Sequence, residues 1–384
     1  MKPPRPVGIL PPVLALPLLA LLDELQGGLP VLGSGDLGRE VGTGVGLFAV
    51  LLAVPTALSL LVEPVVLAWS DRADRQRILV GALLAMGVMG AAGAVSTSPV
   101  ALTVCIGLWG TACGVACGVA QGALVSDAES EAVGMAGWVR GAVIGDLAAP
   151  VAVQACGGDW RWAWLASAAL PVALAVWVSR LSLPPLVADG EADPPFRVAL
   201  ARGLRDPVLL GWLVAVSSCT LLDEPLLVLV VLRTGGSGAL ATAQVLALLA
   251  GAAGGAFLTE PLFRRVPART LLVASSVAAA VALAAWIAVG SGLLAVPLLA
   301  MLGASSAPLY TLAQAAAYAR LPGRPGLVNA LLGPLHWVDV VAPLALGALL
   351  SQWGMNAALA ALAVQPLVCV LVARAAGAAE PEAT

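Results

Sequence analysis

The tetrapeptide Leu21-Leu22-Asp23-Glu24 occurs a second time as Leu221-Leu222-Asp223-Glu224, 200 residues further along the chain. Both copies lie deep within long apolar stretches. A repeat at about half of the chain length indicates a duplicated architecture. Carboxylates inside membrane-length apolar segments are costly and are usually kept for function. We therefore expect a duplicated membrane protein in which acidic residues carry the chemistry.

The composition supports a polytopic membrane protein. The 384 residues are 60% hydrophobic and 11% charged, and the mean hydropathy is +0.98. The six cysteines all fall in apolar tracts and lack metal-finger spacing. Cys113 and Cys117 share a helix face, and we interpret them as packing residues rather than a metal or redox pair. We expect the lipid bilayer and a small molecule as partners, with no nucleic acid, no metal and no cofactor.

Twelve stretches have the length of about 20 residues that a membrane helix needs. The first is too long for a cleavable signal peptide. The fold predicted is all-α, with twelve transmembrane helices. Their approximate ranges are 8–33, 42–68, 78–97, 100–125, 136–157, 162–183, 207–232, 239–261, 270–290, 292–318, 325–350 and 355–376.

The distribution of basic residues predicts the orientation. With the N-terminus in the cytoplasm, sixteen of the nineteen Lys and Arg residues fall in cytoplasmic segments, and only Arg39, Arg161 and Arg233 lie outside. We therefore expect both termini to be cytoplasmic, in a multi-pass protein of the cell (inner) membrane.

Two further pairs of segments extend the duplication. Glu63-Pro64 matches Glu260-Pro261, and Asp146 to Pro150 matches Asp339 to Pro343. The order and the helix positions agree, which predicts two pseudo-symmetric six-helix bundles related as a parallel repeat. The boundaries expected are 1–183 for the N-terminal half, 184–206 for a cytoplasmic linker rich in Pro and charge, and 207–384 for the C-terminal half.

The loop after the second predicted helix carries a family resemblance. Residues 67–77 read LAWSDRADRQR, which resembles the G-x-L-a-D-R-x-G-R-[KR]-[KR] signature of the major facilitator superfamily. Asp71, Arg72, Arg75 and Arg77 match it, whereas Leu67 and Asp74 stand where glycines are usual. Residues 158–165 and 23–30 resemble segments of drug-efflux members. The resemblance implies alternating access and a cytoplasmic gate formed by the signature together with Asp127.

Eight carboxylates lie within the predicted helices, with no Lys or Arg at comparable depth: Asp23, Glu24, Glu63, Asp146, Asp223, Glu224, Glu260 and Asp339. At ~2.5–3.5 kcal/mol for each charge near the bilayer centre, they must face a hydrated cavity, bind cations or stay protonated. Adjacent acids in a helix point about 100° apart, so only one acid of each Asp-Glu pair should face the cavity squarely. Glu63 and Glu260 have two interpretations, as cavity acids or as structural salt bridges near a helix end.

His336 is the only histidine and precedes Asp339 by three residues, which would place both on one helix face. It could serve as a proton relay, as a satisfied polar residue in the bundle, or as a metal ligand with carboxylates. Further polar or aromatic candidates for the cavity are Trp109, Gln121, Tyr310, Gln314 and Asn329.

The function predicted is proton-coupled secondary active transport by a monomer. Acids without basic partners favour a cationic or drug-like solute. A carboxylate that holds either a proton or the solute permits exchange, which favours efflux by antiport. The alternatives are uptake by a proton- or cation-coupled symporter and a non-transporting receptor or scaffold. With one histidine and no Ser-His or His-rich motif, we expect no enzyme activity.

Overall fold

The computed structural model describes residues 12–42, 44–70, 74–127, 131–180, 196–235, 239–321 and 324–379. These residues form helices joined by short turns, and no strand occurs among them. Eleven of the helical segments are long and apolar enough to cross a membrane. The prediction of an all-α polytopic protein is thereby confirmed, whereas a count of twelve spans and the side on which the termini lie remain predictions.

Each predicted stretch coincides with one helical segment. The N-terminal set comprises α1 (Pro12–Leu32), α2 (Val45–Leu67), α3 (Arg75–Ala94), α4 (Pro99–Asp127), α5 (Glu131–Ala155) and α6 (Trp160–Val178). The C-terminal set comprises α7 (Pro207–Arg233), α8 (Ala239–Phe263), α9 (Ala268–Val289), α10 (Ala295–Arg320), α11 (Pro325–Trp353) and α12 (Met355–Ala376). Short helices also cover Ser34–Val41 and Phe196–Gly203. Helix α1 is the one of these twelve that is not among the eleven candidate spans. It has 21 residues and packs chiefly against α5.

Two of the long helices are interrupted near acidic residues. In α7, a 3₁₀ turn (Cys219–Leu222) ends at Asp223, whose φ of −123° and ψ of −124° are not helical. The ring of Pro225 would clash with the carbonyl of residue 221 in a continuous α-helix, and it has no N–H to donate. In α11, a 3₁₀ turn (Gly333–His336) contains a proline at its start. The expectation that Asp223 and Glu224 point 100° apart in a regular helix is therefore wrong, and His336 and Asp339 do not belong to one continuous α-helix.

Glycines allow close helix packing in both sets. A Cβ at Gly118 of α4 would lie 2.5 Å from the Leu67 side chain of α2. On α8 and α10, a Cβ at Gly251, Gly255 or Gly303 would overlap with the backbone of the facing helix. Because the two pairs, α2–α4 and α8–α10, occupy matching places in their sets, the internal packing follows the predicted duplication.

The two sets meet at both ends of the bundle. At the end that carries residues 203–206, called here the linker end, a Cβ at Gly333 of α11 would lie 2.5 Å from Pro64 of α2. At the opposite end, a Cβ at Gly347 of α11 would lie 3.0 Å from Cα of Val45. A space between these two contacts holds the acidic residues.

Asp206 fixes the start of α7 at the linker end. Its Oδ1 accepts hydrogen bonds from the backbone amides of Val208 (3.0 Å) and Leu209 (3.2 Å), and its Oδ2 lies 3.0 Å from Nη2 of Arg320. Burial acts to raise the pKa of Asp206, but the hydrogen bonds from Leu209 and Arg320 outweigh burial and hold the pKa below its usual value.

Candidate functional site

A central cavity lies between the two helix sets and has two lobes. The first lobe, of about 330 Å³, is lined by α1, α2, α4, α7 and α11. The second lobe, of about 320 Å³, is lined by α1, α4, α5, α7, α8, α10, α11 and α12. Asp23, Asp223 and Glu224 border both lobes. Three of the four acids in the repeated Asp-Glu pairs therefore lie where the lobes meet, and Glu24 borders the second lobe alone.

Seven of the eight predicted acids line this cavity. The first lobe has Asp23, Glu63, Asp223, Glu224 and Asp339, and the second has Asp23, Glu24, Asp146, Asp223 and Glu224. Within the described part of the chain, no Lys, Arg or His is among the lining residues of either lobe. In the second lobe, Glu24 lines the wall together with four other carboxylates. Such a concentration of acids favours the binding of protons or other cations.

The first copy of the repeat holds Asp23 against two thiols of α4. The Sγ of Cys113 donates to Oδ1 of Asp23 at 2.9 Å, and the Sγ of Cys117 donates to Oδ2 at 3.3 Å. Glu24, the next residue, lines the second lobe only. In the N-terminal set, Asp23 therefore borders both lobes, whereas Glu24 borders only the second.

The second copy lies at the interruption of α7. The backbone amide of Leu222 donates to Oε1 of Gln365 on α12 at 2.7 Å, which satisfies an amide that the break removes from the helical pattern. Asp223 is exposed to the cavity, and Glu224 starts the next helical segment. A Cβ at Gly27 of α1 would lie 3.5 Å from Oε1 of Glu224, so this side chain reaches across to the N-terminal set.

Asp339 connects the two interrupted helices. The hydroxyl of Thr220, in the 3₁₀ turn of α7, donates to Oδ1 of Asp339 at 2.7 Å. The hydroxyl of Ser217 donates to the carbonyl oxygen of Leu335 at 3.0 Å. The breaks in α7 and α11 therefore contact each other through side chains at the cavity wall.

Glu63 and Glu260, which correspond in sequence, differ in environment. Glu63 lines the first lobe and packs on Gly114, where a Cβ would overlap with its carboxylate. Glu260 forms ion pairs with Arg140 of α5 and, at 2.9 Å, with Arg264. The expectation that no arginine lies at the depth of these acids is wrong for Glu260, because Arg140 lies nine residues inside α5 rather than in a loop. The pair with Arg140 joins the two helix sets at the linker end.

The other candidate residues divide between the cavity and a hydrogen-bonded network. Trp109 lines the first lobe and donates from Nε1 to Oε1 of Gln26 at 2.9 Å. Gln121 and Tyr310 line the second lobe, and Nε2 of Gln121 donates to the hydroxyl oxygen of Tyr310 at 3.3 Å.

Gln314 and Asn329 lie outside both lobes, in a buried network at the linker side. The amide of Gln314 donates to Oδ1 of Asn329 at 3.2 Å, and the amide of Asn329 donates to the carbonyl oxygen of Gly118 at 3.3 Å. The Tyr318 hydroxyl lies 2.8 Å from Oδ1 of Asn329 and 3.2 Å from Oε1 of Gln121. This network connects α4 with α10 and α11.

The predicted gate motif is described in part. Arg75 is buried and donates from Nε to the carbonyl oxygen of Ser70 at 3.2 Å. Arg77 pairs with Asp74 at 3.0 Å on the surface. Asp71 and Arg72 lie outside the described residues. The backbones of Asp127 and His336 are helical, but their side chains lie outside the described part of the structure.

Several residues of the site were not predicted from the sequence. Gln26 and Thr220 each contact a predicted residue on another helix, and Gln365 contacts the backbone of Leu222, next to the predicted Asp223. A polar residue in an apolar helix is a usable signal for such positions, as with the predicted acids. The contact of Cys113 and Cys117 with Asp23 could be predicted only in part. The spacing of four between the cysteines is visible in the sequence, but Asp23 lies 90 positions before Cys113.

The comparisons with known proteins agree with the fold. Residues 18–338 match the sequence model of the Major Facilitator Superfamily. No curated protein sequence matches the chain. The fold is similar to that of a bacterial homologue of the human lysosomal transporter Spinster, in an inward-facing and unoccupied conformation, with a TM-score of 0.64, 14% identity, and coverage of 96% of this chain and 95% of that chain.

It is also similar to the human organic anion transporter MFSD10 (TETRAN), with a TM-score of 0.63, 18% identity, and coverage of 94% of this chain and 98% of that chain. Identities this low show a common fold alone. The family model, by contrast, spans most of the sequence and includes both copies of the acidic repeat. The chain therefore belongs to the Major Facilitator Superfamily of transporters, as residues 67–77 predicted.

Proposed function

We propose that the protein is a proton-coupled secondary transporter that exports a small organic cation by alternating access. The observation that carries the proposal is the acidic cavity: seven carboxylates line it, and none of its described lining residues is basic. A volume of about 330 Å³ for one lobe is at the lower end of typical small-molecule sites, which are roughly 300–1,000 Å³.

Charge selects the solute class in this proposal. Carboxylates in a poorly hydrated cavity attract cations far more strongly than they would in water, and they repel anions. The ring of Trp109 in the first lobe adds a surface on which an organic cation can bind through a cation–π contact. MFSD10 is named an organic anion transporter, and the acidic lining gives this chain the opposite preference.

The same cavity carboxylates can exchange a proton for the cationic solute. Asp146, Asp223, Glu224 and Asp339 can each be neutralised by a proton or by a bound cation, but a proton and a cation on one carboxylate exclude each other. Inward proton movement would then drive the cation outward. The arginine-rich linker end supports a cytoplasmic location for that end, in a monomer that spans the cell membrane.

Opening and closing would use the contacts at the two ends. At the linker end the sets are joined by the Arg140–Glu260 ion pair and by the hydrogen bonds of Asn329, which are polar contacts that water can replace. At the opposite end, Gly347 of α11 packs on the backbone of Gly44 and Val45. Alternate breaking of the two contacts would expose the cavity to each side in turn.

Flux measurements in proteoliposomes test the proposal. An imposed pH gradient should drive transport of a lipophilic organic cation such as tetraphenylphosphonium, whereas an organic anion of similar size should not be moved. Substitution of Asp146→Asn, Glu224→Gln or Asp339→Asn should remove proton-driven flux while the variants remain folded. Asp36→Asn, at an exposed carboxylate outside the cavity, is the matched control and should leave flux unchanged.

Unchanged flux in all three cavity variants would overturn proton coupling through these acids. Transport of the anion but not the cation would overturn the solute class. Accumulation of the cation with the proton gradient, rather than against it, would favour uptake by symport.

A further inference from the structure

Two thiols and one carboxylate converge at the wall of the first lobe. Cys113 and Cys117 are one helical turn apart on α4, with their Sγ atoms separated by 3.8 Å. Both sulfurs contact the carboxylate of Asp23 on α1, and the three ligand atoms lie within 4.8 Å of one another. Asp23 and Cys113 both line the cavity, so an ion could reach them from it.

The spacing agrees with a tetrahedral metal site. Zinc binds thiolate sulfur at about 2.3 Å, so two sulfurs on a tetrahedral zinc ion are separated by about 3.8 Å. The observed separation of the two sulfurs is 3.8 Å. Cys113 lies 2.9 Å from Oδ1 of Asp23 and Cys117 lies 3.3 Å from Oδ2, whereas an ion bound through one carboxylate oxygen would place that oxygen ~3.5 Å from both sulfurs. A rotation of the Asp23 carboxylate, with a shift of ~0.6 Å away from Cys113, would therefore admit the ion.

The fourth ligand would be a water molecule from the first lobe. Asp23 and Cys113 line that lobe, so water in it can reach the site. The carboxylate of Glu63 on α2 packs on Gly114, in the same turn of α4 as the two cysteines, but Glu63 does not belong to the group of three whose ligand atoms lie within 4.8 Å of one another. A tetrahedral site needs four ligands, and the two thiolates, one carboxylate oxygen and one water supply them.

We infer that Asp23, Cys113 and Cys117 bind a thiophilic metal ion such as Zn²⁺ or Cd²⁺. Thiolates select soft and borderline ions over Na⁺, Mg²⁺ and Ca²⁺. On binding, each thiol loses its proton to the cavity water, and two sulfur–metal bonds and one oxygen–metal bond form without any change in oxidation state. The site joins α1 to α4 inside the N-terminal set and does not depend on the solute proposed above.

Cobalt binding tests the site, because Co²⁺ replaces Zn²⁺ and gives a sulfur-to-metal charge-transfer absorption only when thiolates are ligands. The protein is purified without a histidine tag, and Co²⁺ is titrated into it. We expect the absorption to saturate at one ion per chain and to disappear when Zn²⁺ is added.

Matched double variants locate the ligands. Cys113→Ser/Cys117→Ser should lose the absorption and bind at least 100-fold more weakly. Cys219→Ser/Cys369→Ser removes two thiols from α7 and α12 that belong to no cluster of this kind among the described residues, and it should bind as the wild type does. Asp23→Asn should keep the absorption but weaken binding at least tenfold.

A second readout covers misfolding of the serine variant. In the wild-type protein, Zn²⁺ should protect Cys113 and Cys117 from alkylation, as measured by mass spectrometry, while Cys105 remains as reactive as before. No charge-transfer absorption in the wild type, retained absorption in Cys113→Ser/Cys117→Ser, or equal alkylation with and without Zn²⁺ would each overturn the inference.

Discussion

The two copies of Leu-Leu-Asp-Glu have the same sequence but different structures. Both aspartates border both lobes of the cavity, but Asp23 lies in the continuous helix α1 and contacts two thiols, whereas Asp223 lies at a break in α7 and is the more exposed of the two. The next residue differs: Leu25 continues the first helix, and Pro225 prevents the second from continuing. Gln365 of α12 then stabilises the break by accepting from Leu222.

The helices facing the two copies also differ. Gly145 of α5 lies against the backbone of Leu21, where a Cβ would overlap with the carbonyl oxygen. The residue matching Gly145 in the second half is Val338, which is exposed. A duplicated sequence has therefore diverged into one tightly packed acidic position and one open position, which we interpret as a division of roles.

The largest expected effect separates the roles of the two aspartates. Asp223→Asn should reduce proton-driven cation flux by at least 100-fold, about 2.7 kcal/mol, because its carboxylate makes no capping hydrogen bond and is exposed to the cavity. Asp23→Asn should reduce flux less, since the thiols already engage both of its oxygens. Flux is measured in proteoliposomes at matched protein density. A greater loss in the Asp23 variant would reverse the assignment.

The close packing of the first copy can be broken at Gly145. Gly145→Ala should destabilise the protein by about 2–3 kcal/mol, because the added methyl overlaps with the Leu21 carbonyl and the backbone must move. Thermal unfolding in detergent measures the shift. Gly137→Ala, also on α5 but with open space around its Cβ position, should be neutral or slightly stabilising. Equal effects of the two variants would mean that α1 and α5 are not tightly packed.

The break in the second copy can be tested at Gln365. Gln365→Leu leaves the buried amide of Leu222 without its acceptor, which should cost about 1–2 kcal/mol in the free energy of unfolding. Gln352→Leu, at an exposed position near the end of α11, is the control and should have little effect. If Gln365→Leu were as stable as the wild type, the break would not need this hydrogen bond.

The smallest expected effect concerns the start of α7, which holds the second copy. Asp206→Asn keeps a capping side chain but removes the charge facing Arg320, so it should cost about 0.2–1 kcal/mol. The pKa of Asp206 is lower in the folded protein, so its stabilisation is present above the usual aspartate pKa of about 3.9 and disappears as the pH falls through the folded value.

Thermal unfolding at several pH values checks this dependence. The difference between wild type and Asp206→Asn should be constant near neutrality and vanish in acid. Asp159→Asn, at a similar cap of α6 without an ion pair among the described residues, provides the comparison. A difference that grows in acid would contradict the sign of the shift.

Much of the fold could be predicted because membrane helices have a strong local signal. The predicted range 207–232 corresponds to α7 (Pro207–Arg233), and 239–261 to α8 (Ala239–Phe263). The acids of the cavity were also visible, because a carboxylate such as Asp146 stands out in an apolar helix. What could not be predicted was which acid has a partner, since Arg140 meets Glu260 from a helix 120 residues away.

The sequence alone determined the apolar segments, their order, the repeated acids and the family, because each depends on local composition or on a short motif. Only the tertiary structure decided that Asp23 meets two thiols, that Glu260 pairs with Arg140, and that Asp223 lies at a break. Those environments depend on the distance between helices far apart in sequence. Electrostatic and hydrogen-bond energies change steeply over that distance, so identical tetrapeptides acquired different properties.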